Sequence, residues 1–103
     1  MPKRTRNYEE GLEKRLLDPK YAAGYLSAVL EDTGKDGKER FLLALRDVAK
    51  AHGMTKLAND TEMAREAMYR ALSEKGNPEL GTLTSVLDAI GLRLSVEVKK
   101  KAS

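Results

Sequence analysis

The chain has 103 residues, of which 41% are hydrophobic and none is cysteine, and its formal net charge is +3. This length favours a single domain, and the lack of cysteine excludes a disulfide framework and thiolate metal sites, as expected of a cytoplasmic protein. No apolar run approaches the roughly 20 residues that span a bilayer, so we expect no membrane-spanning segment.

Residues 1–37 are predicted to form two amphipathic helices followed by a polar, glycine-containing linker. The first helix carries an apolar residue at every fourth position, namely Tyr8, Leu12 and Leu16. Asp18 can accept hydrogen bonds from free N–H groups at the start of the second helix, and Pro19 fits its first position. The apolar stripe of that helix consists of Ala22, Tyr25, Leu26, Val29 and Leu30.

Residues 38–91 are predicted to form further helices separated by short turns. The strongest helical pattern consists of Phe41, Leu42, Leu45, Val48 and Ala49. That helix is expected to end at Gly53, and Thr55 is a potential N-cap of the next one. After a turn at 61–63, a helix is predicted from about Ala64 to Lys75, with Ala64, Ala67, Met68, Ala71 and Leu72 on its buried face. A last helix contains Leu83, Val86, Leu87 and Ile90 and ends at Gly91.

Residues 92–103 are predicted to contain a short strand and a basic tail. Four apolar residues alternate with polar ones, which is typical of a half-buried strand, and these are Leu92, Leu94, Val96 and Val98. A lone strand leaves backbone groups unpaired and therefore needs a partner. We favour pairing across a two-fold axis with a second copy, and the edge of another protein's sheet is the alternative.

The spacing within 55–75 is that of a helix-turn-helix, a motif whose second helix enters the major groove of DNA. On the polar face of this second helix, the candidates for base or phosphate contact are Arg65, Glu66, Tyr69 and Arg70. The candidates for backbone positioning are Thr55, Lys56, Lys75 and Asn77. The segment 55–75 has equal numbers of acidic and basic residues, so its charge gives no indication of DNA binding. An ordinary solvent-exposed helix face is the alternative interpretation of the same residues.

The chain offers little for catalysis. His52 is the only histidine, and neither paired acids at ligand spacing nor a glycine-rich phosphate loop is present. We therefore expect no enzymatic activity, no metal and no cofactor.

At this point the residues resemble a known family, the HigA-like addiction-module antidote proteins. The resemblance rests on several strings, which are the residues 45–49 and 51–54, the pair Leu57-Ala58, the run 65–73, the triplet Gly76-Asn77-Pro78 and the run 87–92. It implies a Cro/repressor-type helix-turn-helix, a RelE/HigB-like ribonuclease toxin as partner, and repression of the protein's own operon. The family usually has Gly where this chain has Glu62 and Ser where it has Ala64, so operator binding is expected to be weaker.

Together these observations predict an all-α, lambda-repressor-like domain of five to six helices with a short C-terminal β-strand. The protein is expected to bind double-stranded DNA as a homodimer and to neutralise a toxin. Its candidate toxin contacts are Tyr8, Leu12, Leu16, Tyr25, Leu26 and Val29, although these residues could equally pack on the domain. A stand-alone phage-type regulator without a toxin is the alternative, and a protein-binding module that has lost DNA binding is a third hypothesis.

Overall fold

The computed structural model describes residues 6–31 and 34–99. It contains six helices, which are α1 (Arg6–Leu16), α2 (Pro19–Glu31), α3 (Gly37–His52), α4 (Met54–Thr61), α5 (Arg65–Ala71) and α6 (Leu80–Ala89). These residues contain no strand, so the prediction of an all-α fold is confirmed for them. Within the same ranges, none of the helices has the length and apolar character needed to cross a membrane.

The boundary between α1 and α2 follows the predicted capping. The Asp18 side chain accepts a hydrogen bond from the backbone N–H of Lys20 at 3.0 Å, and Pro19 is the first helical residue. Proline costs nothing at this position because its missing N–H would have no partner inside the helix. The local sequence therefore fixes where α2 begins.

α3 ends at Gly53 as predicted, but α4 starts two residues earlier than predicted. Gly53 has a φ of 103°, and its N–H donates to the carbonyl oxygen of Ala49 at 2.9 Å. Because glycine tolerates this conformation, α3 stops there and α4 starts at once, with Gly53 as its N-cap. Thr55 therefore lies inside the first turn of α4, and the prediction that it caps this helix is wrong.

One hydrophobic core joins all six helices. α1 contributes Leu12 and Leu16, and α2 contributes Ala22 and Leu26. These side chains share a cluster with buried residues of the later helices, which include Leu45, Val48, Leu57, Met68, Val86 and Leu87. The first two helices are thus part of the same packed unit as the four that follow.

α5 is shorter than predicted, because it ends at Ala71 and not near Lys75. The Ser73 hydroxyl donates to the carbonyl oxygen of Arg70 at 2.8 Å, which offers the chain a turn in place of another helical residue. The backbone then folds back so closely that a Cβ at Gly76 would collide with the carbonyl oxygens of Arg70 and Ala71. The lack of a side chain at Gly76 therefore allows its backbone to approach the end of α5 closely.

The described part of the C-terminal segment, residues 92–99, is not a strand. The N–H of Leu92 donates to the carbonyl oxygen of Leu87 at 2.8 Å, and Leu92 packs against the core. Beyond it, no backbone hydrogen bond joins residues 93–99 to the other described residues. The predicted strand is absent because a strand exists only through a neighbouring strand, and residues 6–31 and 34–99 supply none. The basic tail beyond residue 99 lies outside the described residues.

Candidate functional site

The turn between α4 and α5 consists of residues 62–64 and is held by hydrogen bonds to α4. Glu62 adopts the left-handed conformation, with φ 57° and ψ 32°. The N–H of Met63 donates to the carbonyl oxygen of Ala58 at 2.9 Å, and the Thr61 hydroxyl donates to that of Leu57 at 2.7 Å. Two helices joined by a tight three-residue turn therefore occur where the sequence predicted them.

The buried face of α5 fixes which of its residues face solvent. Met68 is fully buried, as is Leu72 directly after the helix, and both belong to the core cluster. Ala64 is the N-cap and is exposed, so the prediction that it lies on the buried face is wrong. Of the predicted contact residues of this helix, Arg65, Glu66 and Arg70 are exposed, whereas Tyr69 is half-buried.

Arg46 of α3 is a member of this site that the sequence did not single out. Its guanidinium carbon lies 5.4 Å from the centroid of the Tyr69 ring, and that of Arg65 lies 5.7 Å from the same ring. Both distances are within the range of cation–π attraction. The Nε atom of Arg46 is buried without a hydrogen-bond partner, so this group depends on the ring for compensation. A single arginine between apolar helix positions gives no sequence signal of such a contact.

The residues predicted to position the DNA backbone lie at two places flanking α5. Thr55 and Lys56 are exposed in the first turn of α4, where Lys56 Nζ lies 3.9 Å from Asp60 Oδ2. Lys75 and Asn77 are exposed in the segment after α5, and Asn77 Oδ1 accepts a hydrogen bond from Lys38 Nζ at 3.1 Å. The second contact ties this segment to the start of α3.

His52 lies at the end of α3, and its surroundings lower the pKa of its side chain. Burial lowers the pKa of its imidazole, and the positive charge of Lys56 lowers it further. Both causes favour the neutral ring near neutral pH. The described residues contain no group of histidine and carboxylate side chains that could hold a metal ion.

The predicted toxin contacts divide into buried and exposed residues. Leu12, Leu16 and Leu26 are buried in the core, so their side chains pack the domain. Tyr25 and Val29 are half-buried, and the Tyr25 hydroxyl donates to Asp47 Oδ2 at 2.9 Å. Tyr8 remains 51% exposed. Leu17 and Tyr21, which the sequence did not single out, are also exposed in this region, and so is Leu30 from the predicted apolar stripe of α2.

The four residues of the predicted partner strand line or flank a groove. The groove has a volume of about 690 Å³ and lies between α2 and the segment 92–99. Leu26 and Leu30 line it from α2, and Leu92, Leu94 and Val98 line it from the segment. Leu92 packs against the core, whereas Val96 and Val98 are 99% and 95% exposed and have no cover within the described residues.

Comparison with known proteins gives one family match. A family model described as "probable addiction module antidote protein" matches residues 9–98. The chain is also similar to an uncharacterized protein of Haemophilus influenzae, with 37% identity over 78 residues that cover 76% of this chain and 77% of the relative. No solved structure matches the chain.

Proposed function

This chain belongs to the family of probable addiction module antidote proteins, and on that premise we propose that it is the antitoxin of a toxin–antitoxin module. It binds the DNA of its own operator as a dimer and represses transcription. It also neutralises a RelE/HigB-like ribonuclease toxin by binding it. The family membership supports the toxin partner, and the α4–turn–α5 unit supports the DNA.

The observation that carries the DNA-binding part is the exposed face of α5. Arg65, Glu66 and Arg70 point away from the core on a helix that follows a tight turn. Arginine reads guanine through two hydrogen bonds to its O6 and N7 atoms, which makes it the commonest specific reader in the major groove. The Tyr69 ring holds the Arg65 guanidinium close to the helix surface. α5 is therefore the proposed recognition helix.

The flanking polar residues support the same orientation. Lys56 precedes the turn on one side of α5, and Lys75 with Asn77 follows on the other. Contacts of such residues to phosphate oxygens fix the register of a protein on the duplex without reading its sequence. The proposal assigns these residues to backbone positioning and Arg65 to base readout.

The test is the replacement Arg65→Ala, assayed on duplex fragments from upstream of the protein's own gene. We expect a loss of roughly 1–3 kcal/mol in binding free energy and relaxed preference at one base pair. Lys14→Ala is the matched control, because it removes one exposed cation from α1 and should leave the sequence preference unchanged. Gel-shift titration at several salt concentrations measures both quantities.

Two outcomes would contradict parts of this proposal. Unchanged affinity and sequence preference in the Arg65 variant would show that α5 is not the recognition helix. If the unmodified protein shows no salt-dependent binding to any duplex, the DNA-binding function is wrong, and an antitoxin that binds only protein takes its place. Two features favour an antitoxin that binds only protein. In the proposed complex the negative charge of Glu62 would lie near the DNA phosphates, and the start of α5 has no side-chain cap.

A further inference from the structure

Residues 93–98 lie outside the helices, and neither their backbone nor their two valine side chains have a partner among the described residues. No backbone hydrogen bond joins 93–98 to the other described residues, so the exposed N–H and C=O groups of this segment are free to pair with a second strand. Val96 and Val98 are almost completely exposed, and Leu94 is 43% exposed. A segment with this alternation is stable as a strand only when another strand covers it.

We propose that two copies of this chain pair through residues 92–98 as antiparallel strands whose two-fold axis passes through Ser95. This proposal rests on the dimeric state in the proposed function and adds the surface and the register of that dimer. In this register Arg93 faces Glu97 of the second copy, and the same pair recurs on the other side of the axis. Leu92 faces Val98 of the second copy, and Leu94 faces its Val96.

The charges of the segment select this register among the alternatives. An axis through Val96 would place Lys99 opposite Arg93, and an axis through Glu97 would place two carboxylates opposite each other. An axis through Leu94 would pair no charges at all. Opposite charges that face each other across two strands stabilise a sheet, whereas like charges destabilise it. An axis between two residues would put apolar and polar side chains on the same face, which burial disfavours.

The surface beside the segment offers the apolar cover that a two-stranded ribbon needs. Such a ribbon is marginal in water unless an apolar surface covers one of its faces. Here the Ser95-centred register gathers four apolar side chains from each copy on one face of the ribbon, and Leu26 and Leu30 of α2 line the adjoining groove. Because Leu30 is 59% exposed, the proposed dimer places the apolar face of the ribbon against this side of α2.

Charge reversal tests the register directly. Arg93→Glu alone creates two Glu–Glu pairs per dimer, and Glu97→Arg alone creates two Arg–Arg pairs. We expect each variant to raise the dimer dissociation constant by roughly ten- to hundredfold in sedimentation equilibrium. An equimolar mixture of the two variants should form heterodimers of near-normal affinity, because every Glu then faces an Arg. The double variant R93E/E97R should dimerise like the unmodified protein.

Cysteine crosslinking provides a second readout with no background, because the chain has no native cysteine. Ser95→Cys places two thiols opposite each other on the axis, within the Cα separation that a disulfide requires, so mild oxidation should crosslink it. Val98→Cys is the matched control, since its two copies lie six residues apart along the ribbon, which is roughly 20 Å. It should stay uncrosslinked.

The results that overturn the inference differ from those that overturn the proposed function. Crosslinking of Val96→Cys but not of Ser95→Cys would move the axis and refute this register. Dimers that survive both single charge reversals would place the interface elsewhere and leave the antitoxin proposal intact. If the reversals weaken binding to a toxin and leave self-association unchanged, the segment extends a toxin sheet and the inference is wrong. A chain that neither binds a toxin nor binds DNA contradicts the proposed function whatever its oligomeric state.

Discussion

Glu62 occupies a backbone conformation that L-residues with side chains adopt at a cost. Its φ of 57° is the one positive value outside glycine in the described residues. The left-handed region costs a residue with a Cβ about 1–2 kcal/mol, and glycine avoids this cost. The turn persists because the backbone bonds from residues 62 and 63 back to α4, together with the burial of Met68 beyond it, hold the chain in place.

We predict that Glu62→Gly stabilises the protein. The relief of backbone strain outweighs the larger conformational entropy of glycine in the unfolded chain, so the free energy of unfolding should rise by about 0.5–1 kcal/mol. Urea denaturation followed by circular dichroism measures the change. Asn59→Gly, at an exposed helical position of α4, is the control and should lower stability by a similar amount. A loss of stability in the Glu62 variant would mean that its carboxylate contributes more than its backbone costs.

At the scale of the element, α5 has little stability of its own. It has seven residues, and its N-cap Ala64 offers no side-chain oxygen to the free N–H groups. A helix of this length is not stable in isolation and depends on tertiary packing. Met68 and Leu72 provide that packing, and Tyr69 adds contacts to Arg46 of α3 and to Arg65 within α5. We therefore propose that Tyr69 positions the Arg65 side chain.

The positioning role of Tyr69 predicts different results for two replacements. Tyr69→Phe keeps the ring, so it should leave both stability and operator affinity near their normal values. Tyr69→Leu removes both cation–π contacts, each worth about 0.5–1 kcal/mol at a partly exposed site. We expect it to lower the free energy of unfolding by about 1 kcal/mol and operator affinity by roughly fivefold.

Thermal unfolding and gel-shift titration on the same preparations distinguish this role from direct contact. If Tyr69→Phe weakens DNA binding as strongly as Tyr69→Leu while stability is unchanged, the tyrosine hydroxyl itself contacts DNA. That result would return Tyr69 to the group of direct contact residues that the sequence suggested. Equal behaviour of all three proteins would show that the ring does not position Arg65.

At the scale of the whole molecule, α1 and α2 serve the core and leave a separate surface for a partner. Leu12, Leu16 and Leu26 are buried in the common cluster. The outer side near the α1–α2 turn exposes Leu17 and Tyr21, and the Tyr21 ring stacks on Tyr25 with centroids 6.5 Å apart. Since the C-terminal segment is assigned to a second copy, this aromatic and aliphatic surface is the one we assign to the toxin.

Leu17→Asp tests that assignment. A buried charge in an apolar contact weakens binding strongly, so we expect at least roughly tenfold less toxin to co-purify with the variant. Leu80→Asp is the matched control, because Leu80 is another exposed leucine, at the start of α6, and it should leave toxin capture unchanged. The measurement is co-expression with the product of the adjacent gene, followed by affinity capture. Equal toxin recovery from both variants would place the toxin on another surface.

The sequence by itself determined the features that depend on near neighbours in the chain. Asp18 and Pro19 start α2 where predicted, and Gly53 ends α3, because capping and φ preferences act within a few residues. The helical spacing of apolar residues likewise identified most of the core. The family strings carried the functional hypothesis, which no composition or charge argument could supply.

Only the tertiary structure decided the features that depend on distant residues. Arg46 and Tyr69 are in contact although they lie 23 residues apart in the chain, and no local sequence pattern predicts this contact. The close return at Gly76 shortened α5, because the carbonyl oxygens of Arg70 and Ala71 occupy the space that a side chain would need. The segment 92–99 has the alternating pattern of a strand but forms no strand in the single chain. A strand requires hydrogen bonds to a second strand, and the pattern of one segment does not show whether a second strand is present.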